Sequence, residues 1–380
     1  MTIHLPQELV DEIIDHLSGD SDSLTACSLV CRAWVSRTRS YLFETCTLAS
    51  YNPFRFCDLL QSPGCTFLQH VRRIDASRSY WDPADSLLCL NRLAAGLCRL
   101  THACALEMAL CINKPAIFST GSLAVLPHIT VLTLRRGSPP CSSALLIDII
   151  SLCSSLQELH TILGPDTMSP SSISAMPPPG LRSLTFHATS SPAILTWLNA
   201  AGHLPNVDSI TLPILQPGEA PTVRAALQQV GCALRHLQVT FHGKSDIDAW
   251  TVYDLSLHPN LRTLVINYLP HVSFEEWSHI RLIALITSLV AGPALESLTI
   301  HFDATASTFD WEALEVSLSL ARFPRLRKVR IKCKYNDARF SLKIVSWLLV
   351  PIIDFNVTVS TFDWGALDCA EALQNSRACN

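Results

Sequence analysis

One short phrase, L-x-x-L-x-L with other apolar residues admitted at the leucine positions, recurs along most of the chain and limits the folds open to it. Its clearest copies are Ile129/Leu132/Leu134, Leu181/Leu184/Phe186, Val207/Ile210/Leu212, Leu234/Leu237/Val239, Leu261/Leu264/Ile266, Leu295/Leu298/Ile300 and Leu326/Val329/Ile331. Weaker copies begin at Val71, Leu100, Leu156 and Ile352, so that successive first positions lie 29, 29, 27, 25, 26, 27, 27, 34, 31 and 26 residues apart. Each phrase alternates as a short strand does, and stretches such as 225–230 and 311–321 have helical periodicity. A unit this small cannot bury its own apolar side, so copies must stack on one another. The pattern therefore predicts an α/β chain with one strand and one return segment per copy.

This phrase and period resemble the leucine-rich repeats, which implies a solenoid with a curved parallel sheet over residues 48–380. The repeats are irregular, because the family's asparagine position is filled by Gly137, Gly164, Leu215, His242, Leu269, Asp303 and Lys334. The competing architecture is an ordinary α/β domain whose strands share a generic pattern. In a solenoid the third, fifth and seventh positions of each phrase face the concave side. These are Val131, Thr133 and Arg135; Ser183, Thr185 and His187; His236, Gln238 and Thr240; Thr263, Val265 and Asn267; Ser297, Thr299 and His301; and Lys328, Arg330 and Lys332. The face turns basic toward the C-terminus, with Arg322, Arg325 and Arg327 beside it. His301, Lys328, Arg330 and Lys332 are thus candidate target-binding residues for an acidic or phosphorylated segment; the alternative is a solvated strand whose charges protect a sheet edge.

The N-terminus carries a second signal. Pro6 suits the first turn of a helix, and Leu9, Ile13 and Leu17 follow at a spacing of four before Gly19. Ser21 or Asp22 can cap a second helix in which Leu24 and Cys27 share a face, with Val30, Cys31 and Trp34 continuing an apolar ridge beside Arg32. These helices carry more apolar surface than they can bury by themselves. The run Leu5-Pro6-Gln7-Glu8-Leu9, followed by Val30-Cys31-Arg32-Ala33-Trp34, resembles an F-box. The resemblance implies a three-helix F-box over residues 1–47 that docks a Skp-type adaptor and, through it, a cullin. It carries docking roles onto Leu5, Pro6, Leu9, Ile13, Val30, Cys31 and Trp34. Without the resemblance, the same helices read as a cap on a larger fold with Trp34 in its core.

Other functions find little support. A formal charge of −4 supplies no basic field for nucleic acid or anionic membranes, and no apolar run spans a bilayer. The acidic N-terminal residues Glu8, Asp11, Glu12 and Asp15 do not suit a signal peptide. With 15 scattered cysteines and no C-x-x-C pair, the expectation is a reduced chain in the cytoplasm or nucleus. Gly243-Lys244-Ser245 resembles the end of a phosphate loop, but Gln238 stands where its opening glycine is required. Ser307 to Trp311 recurs as Ser360 to Trp364, and Ser273-Phe-Glu-Glu276 reads as a capping box. Pro165 to Gly180 is expected to be a surface loop, and Asn356-Val-Thr358 means little without secretion. No catalytic, metal or cofactor pattern is recognisable. The F-box and leucine-rich-repeat resemblances together imply a non-catalytic substrate-recognition subunit of a Skp–cullin–F-box ubiquitin ligase whose repeats bind a protein target. The alternative is a leucine-rich-repeat interaction scaffold acting outside a ligase.

Overall fold

The computed structural model describes residues 5–48, 53–76, 99–110, 128–136, 143–162, 175–187, 191–216, 218–242, 252–269, 294–302 and 323–333. The copy at Ile352, the helical stretch 311–321, the two Ser-Thr-Phe-Asp-Trp echoes, the 273–276 capping box, Gly243-Lys244-Ser245, the 356–358 sequon and most of the 165–180 loop lie outside these residues. The chain divides into two compact units, Met1–Ala233 and Leu234–Asn380.

The first unit opens with α1 (Gln7–His16), α2 (Ser21–Val30) and α3 (Arg32–Leu42). Asp20 caps α2, its carboxylate accepting from the N–H groups of Asp22 and Ser23 at 3.1 and 3.2 Å, so the cap lies one residue before the Ser21 or Asp22 expected from the sequence. Helix α1 stops at His16, and Gly19 sits in the turn beyond it. The expected ridge from Val30 to Trp34 is broken: Cys31 is extended (φ −159°, ψ 165°), which ends α2 and starts α3 in a new direction. Val10, Ile14 and Leu24 form the core of the three helices, with Leu17, Trp34, Tyr41 and Leu42 packed against it.

Strands follow at the predicted copies. In the first unit they are β1 (Thr45–Thr47), β2 (Arg73–Ala76), β3 (Ala105–Leu110), β4 (Val131–Arg136), β5 (Glu158–Ile162), β6 (Ser183–Phe186) and β7 (Ser209–Leu212). Each pairs in parallel with the next. The return segments include α4 (Pro53–Gln61), α5 (Ser143–Leu152) and α6 (Ser191–Ala200), and α7 (Ala220–Val230) closes the unit. The second unit contains β8 (His236–His242), β9 (Thr263–Leu269), β10 (Ser297–Phe302) and β11 (Lys328–Cys333), again parallel in sequence order. Three helices followed by eleven parallel strands among the described residues make this a mixed α/β chain of repeating units.

The phrase explains the register. Its apolar positions stack from strand to strand, as in Leu132, Leu159, Leu184 and Ile210, all buried. The residue after the first apolar position supplies a carbonyl that accepts two N–H groups from the next repeat. The Arg182 carbonyl receives Asp208 and Ser209 at 3.0 and 3.2 Å, and the Arg262 carbonyl receives Glu296 and Ser297 at 2.8 and 3.0 Å. This fork recurs at Glu44, Arg72, Cys104, Thr130, Gln157, Arg235 and Glu296. It aligns each strand with the next before the ladder begins, satisfying donors that would otherwise be buried without partners.

One expected copy is displaced. The phrase of β3 begins at Ala103, not Leu100, because Leu106 and Met108 stand opposite Leu132 and Leu134. Leu100 instead closes the preceding turn, its carbonyl accepting the Ala103 N–H at 3.1 Å, as Phe323 does for Leu326. β1 was not anticipated; it lies in residues 45–47 and pairs Cys46 with Ile74. Among the return segments, Gly202 at φ 66° ends α6 so that the His203 N–H reaches the Leu198 carbonyl at 2.9 Å. The buried His203 ring then meets the Leu181 carbonyl at 3.0 Å.

Candidate functional site

Two surfaces present functional side chains, one on the N-terminal helices and one on the strands. On α1 the apolar residues divide into two stripes. Val10 and Ile14 turn into the three-helix core, whereas Leu5, Leu9 and Ile13 are exposed. Leu29 and Val30, at the end of α2, are 82% and 64% exposed, and Cys31 follows in the exposed helix break. Pro6 is exposed beside Leu5, and its carbonyl accepts the Val10 N–H at 3.2 Å. Trp34 behaves differently, packing against the Val10, Ile14 and Leu24 core and supporting the helices from beneath. Leu29 was absent from the sequence-based candidates because helical spacing alone did not reveal where α2 would end.

An ion pair fixes the geometry of these helices. Arg37 on α3 donates to both Asp15 oxygens, Nε to Oδ1 at 2.7 Å and Nη2 to Oδ2 at 2.6 Å. Tyr41 Oη adds a 2.8 Å bond to Oδ1, while the Arg37 guanidinium lies 5.4 Å from the Tyr41 ring centre. These bonds from Arg37 and Tyr41 hold the Asp15 carboxyl below its ordinary range. They tie the last turn of α1 to α3 without using any of the exposed apolar side chains. The fork geometry of guanidinium on carboxylate sets orientation as well as distance.

The helices join the first repeat directly. Phe43, just past α3, stacks on Phe67 with ring centres 5.2 Å apart, and Phe56 of α4 approaches Phe67 at 6.5 Å. Arg39 Nη1 donates to Thr66 Oγ1 at 3.1 Å, and the Glu44 carbonyl accepts the N–H groups of Arg72 and Arg73.

On the strands, the third, fifth and seventh positions alternate with the buried apolar ones. In the second unit, Lys328 is exposed opposite Ser297, and half-buried Arg330 is opposite Thr299. His301 is half-buried, in register with Asn267 and Lys332. Lys332 lies on β11, but its side chain is outside the described residues. The Nε atom of Arg330 is buried without a hydrogen-bond partner. Neighbouring Asn267 Nδ2 donates to Thr240 Oγ1 at 3.3 Å. The three outward rows over β8–β11 contain no Asp or Glu.

In the first unit the equivalent face is mixed in charge and holds a cleft of 270 Å³ between the side chains of β2–β6. Of the predicted outward residues, Val131, Thr133, Arg135 and His187 line it; Arg73 and His160 join them from the weaker copies that begin at Val71 and Leu156, and Glu107 from the displaced phrase of β3. Arg135 Nε donates to Glu107 Oε1, and His160 Nε2 lies 3.6 Å from Glu158 Oε2.

Among solved structures the chain is similar to an internalin from Listeria monocytogenes, at 12% identity and a TM-score of 0.33, over 92% of this chain and 98% of that one. Among curated proteins no relative matches. Residues 3–44 match the F-box domain, a span that contains the exposed apolar row from Leu5 to Cys31.

Proposed function

We propose that this chain is a substrate-recognition subunit of a Skp–cullin–F-box ubiquitin ligase, with the N-terminal helices docking a Skp-type adaptor and the repeats holding a protein target. The observation that carries the reading is the row of apolar side chains left outside an already complete helical core. Leu5, Leu9, Ile13, Leu29 and Val30 are exposed while Val10, Ile14 and Leu24 are buried. An apolar patch on a small folded module is the mark of a partner surface. Leu5, Pro6, Leu9, Ile13, Val30 and Cys31 are the docking residues in this reading, and Trp34 positions them from the core side. Through the adaptor the chain joins a cullin.

The repeats then present the target. Lys328, Arg330, His301 and Lys332 are the target-binding residues in this reading, at outward strand positions that hold no Asp or Glu among the described residues of β8–β11. The chain's role is non-catalytic. It raises the local concentration of target lysines near a ubiquitin-conjugating enzyme, converting an encounter between two molecules into one within an assembly. The cytoplasm or nucleus is the setting for this role. A pulldown of the full chain with purified adaptor tests the docking half: capture that is lost in Val30→Asp and Leu9→Asp supports it. No capture by the folded wild-type chain leaves an interaction scaffold outside a ligase, and undiminished capture by both variants refutes the exposed row as the docking surface.

A further inference from the structure

The cleft on the outward face of β2–β6 has a shape set by residue size. Ala105 and Val131 are short, and they leave a depression among longer neighbours on adjacent strands, which lie about 4.8 Å apart. Arg73 stands at one side, and Arg135, His160 and His187 at the other. Thr133 supplies a hydroxyl between them. Glu107, whose side chain is only 15% exposed, takes the Nε of Arg135 and holds that guanidinium at the cleft.

We propose that this cleft binds a single carboxylate side chain, aspartate or glutamate, presented on an extended segment of the target protein. The assignment rests on the reading of the repeats as the target-holding part of the chain. Charge selects the ligand. Two guanidinium groups, Arg73 and Arg135, face one carboxylate, Glu107, so the lining carries one excess positive charge when its imidazoles are neutral. A carboxylate matches that excess. A phosphoryl group, with a charge of roughly −1.5 to −2, exceeds it and meets stronger repulsion from Glu107. A lysine would meet both arginines.

His187 adds a proton to the equilibrium. The charged groups facing His187 are His160 and Glu158 on β5 and Arg135 on β4, while β7 offers Ser209 and Thr211. Burial, then His160 and Arg135, hold the His187 pKa below its ordinary value. An arriving carboxylate opposes these effects and raises the pKa, so binding takes up protons and tightens as the pH falls.

The test uses the full chain and fluorescent peptides of one Gly/Ser/Tyr frame that differ only at the central residue: Glu, Gln, phosphoserine or Lys. The expected result is glutamate over glutamine by about fivefold, a preference that grows at acidic pH and disappears in Arg73→Gln and Arg135→Gln. Arg73→Gln leaves the Arg135 to Glu107 bond in place, so it tests the cleft even where Arg135→Gln disturbs folding. Glu107→Gln should move the preference toward phosphoserine. A wild-type chain that favours phosphoserine or lysine, fails to separate glutamate from glutamine, or keeps its preference in folded Arg73→Gln overturns the assignment. Adaptor capture by the same preparations separates the two readings. A chain that captures adaptor but ignores glutamate loses only the cleft; one that prefers glutamate without capturing adaptor loses only the ligase role.

Discussion

The division of α1 and α2 into a buried and an exposed stripe predicts that two apolar substitutions within the same three-helix module will fail in opposite ways. Val30 is 64% exposed, so the free chain buries only about a third of it. With about 1.5 kcal/mol for full burial of a valine, the intramolecular share is about 0.5 kcal/mol. An aspartate in the last turn of α2 opposes the helix dipole by about 0.5 kcal/mol more. Val30→Asp should therefore destabilise the free chain by about 1 kcal/mol. In the adaptor complex the same change forfeits about 1 kcal/mol of remaining burial and leaves a carboxylate without a partner in an apolar interface. Its desolvation brings the loss to about 4 kcal/mol, or about a thousandfold in Kd. Ile14 is fully buried, and Ile14→Ala should lower stability by about 2–5 kcal/mol through the cavity it leaves. Urea denaturation and calorimetric titration with purified adaptor on both variants decide the matter. If Val30→Asp unfolds as readily as Ile14→Ala, or still binds adaptor within about tenfold of wild type, the exposed row is not a docking surface.

Three further outcomes test the fold beneath these surfaces. The Asp15 carboxyl is held low by Arg37 and then Tyr41, so its contribution is complete above the ordinary carboxylate pKa of about 3.9 and lost as pH falls through the depressed value. Asp15→Asn should be less stable than wild type near neutral pH, with the two melting curves converging in acid; curves that stay parallel would remove the pair from the account. Burial pushes the Cys46 and Cys153 thiols up to about 12 and about 11, with Asp75 adding to the shift at Cys46. Alkylation at about pH 8 followed by mass spectrometry should mark exposed Cys31, Cys104 and Cys232 in the native chain and reach Cys46 and Cys153 only in denaturant. On β6, Leu184→Ala should cost about 2–5 kcal/mol in chemical denaturation, whereas Thr185→Ala, on the opposite face, should stay within about 0.5 kcal/mol.

The sequence was most legible where leucine, isoleucine and valine fill the phrase. The copies at Ile129, Leu181, Val207, Leu234, Leu261, Leu295 and Leu326 each precede a strand whose second apolar residue is buried. Legibility failed where small or polar residues occupy the same places. Ala103 opens the β3 phrase, so Leu100, three residues earlier, draws the eye to a turn. Thr161, buried between Leu134 and Phe186, fills an apolar position on β5. β1 was hidden because Phe43, Cys46 and Leu48 sit at the end of the F-box signal and a cysteine makes a faint strand marker. The cleft could not be read because it depends on the side-by-side register of these fainter strands: a three-residue displacement puts His102, Cys104 and Leu106 where Ala105, Glu107 and Ala109 belong. At the N-terminus the family likeness identified Leu5, Leu9, Ile13 and Val30, but only packing separates them from Val10 and Ile14.

The junction between the two parts explains why point substitutions, not removal of the helices, are the informative perturbation. The Glu44 carbonyl, at the end of the F-box, forms the first of the two-donor forks that recur within both units; it receives Arg72 and Arg73 at 2.8 and 2.9 Å. β1 follows immediately and pairs with β2, while Phe43 rests on Phe67. Cutting after residue 47 would strip β2 of its neighbour, leave the Arg72 and Arg73 donors without that acceptor and expose the apolar face of Ile74. Such a truncated chain would lose adaptor binding and sheet integrity together, and its failure would say nothing about docking. The structure thus makes one residue, Glu44, both the last of the matched F-box span and the template for the repeats, so the exposed apolar row and the first strands are built on the same backbone without an intervening linker.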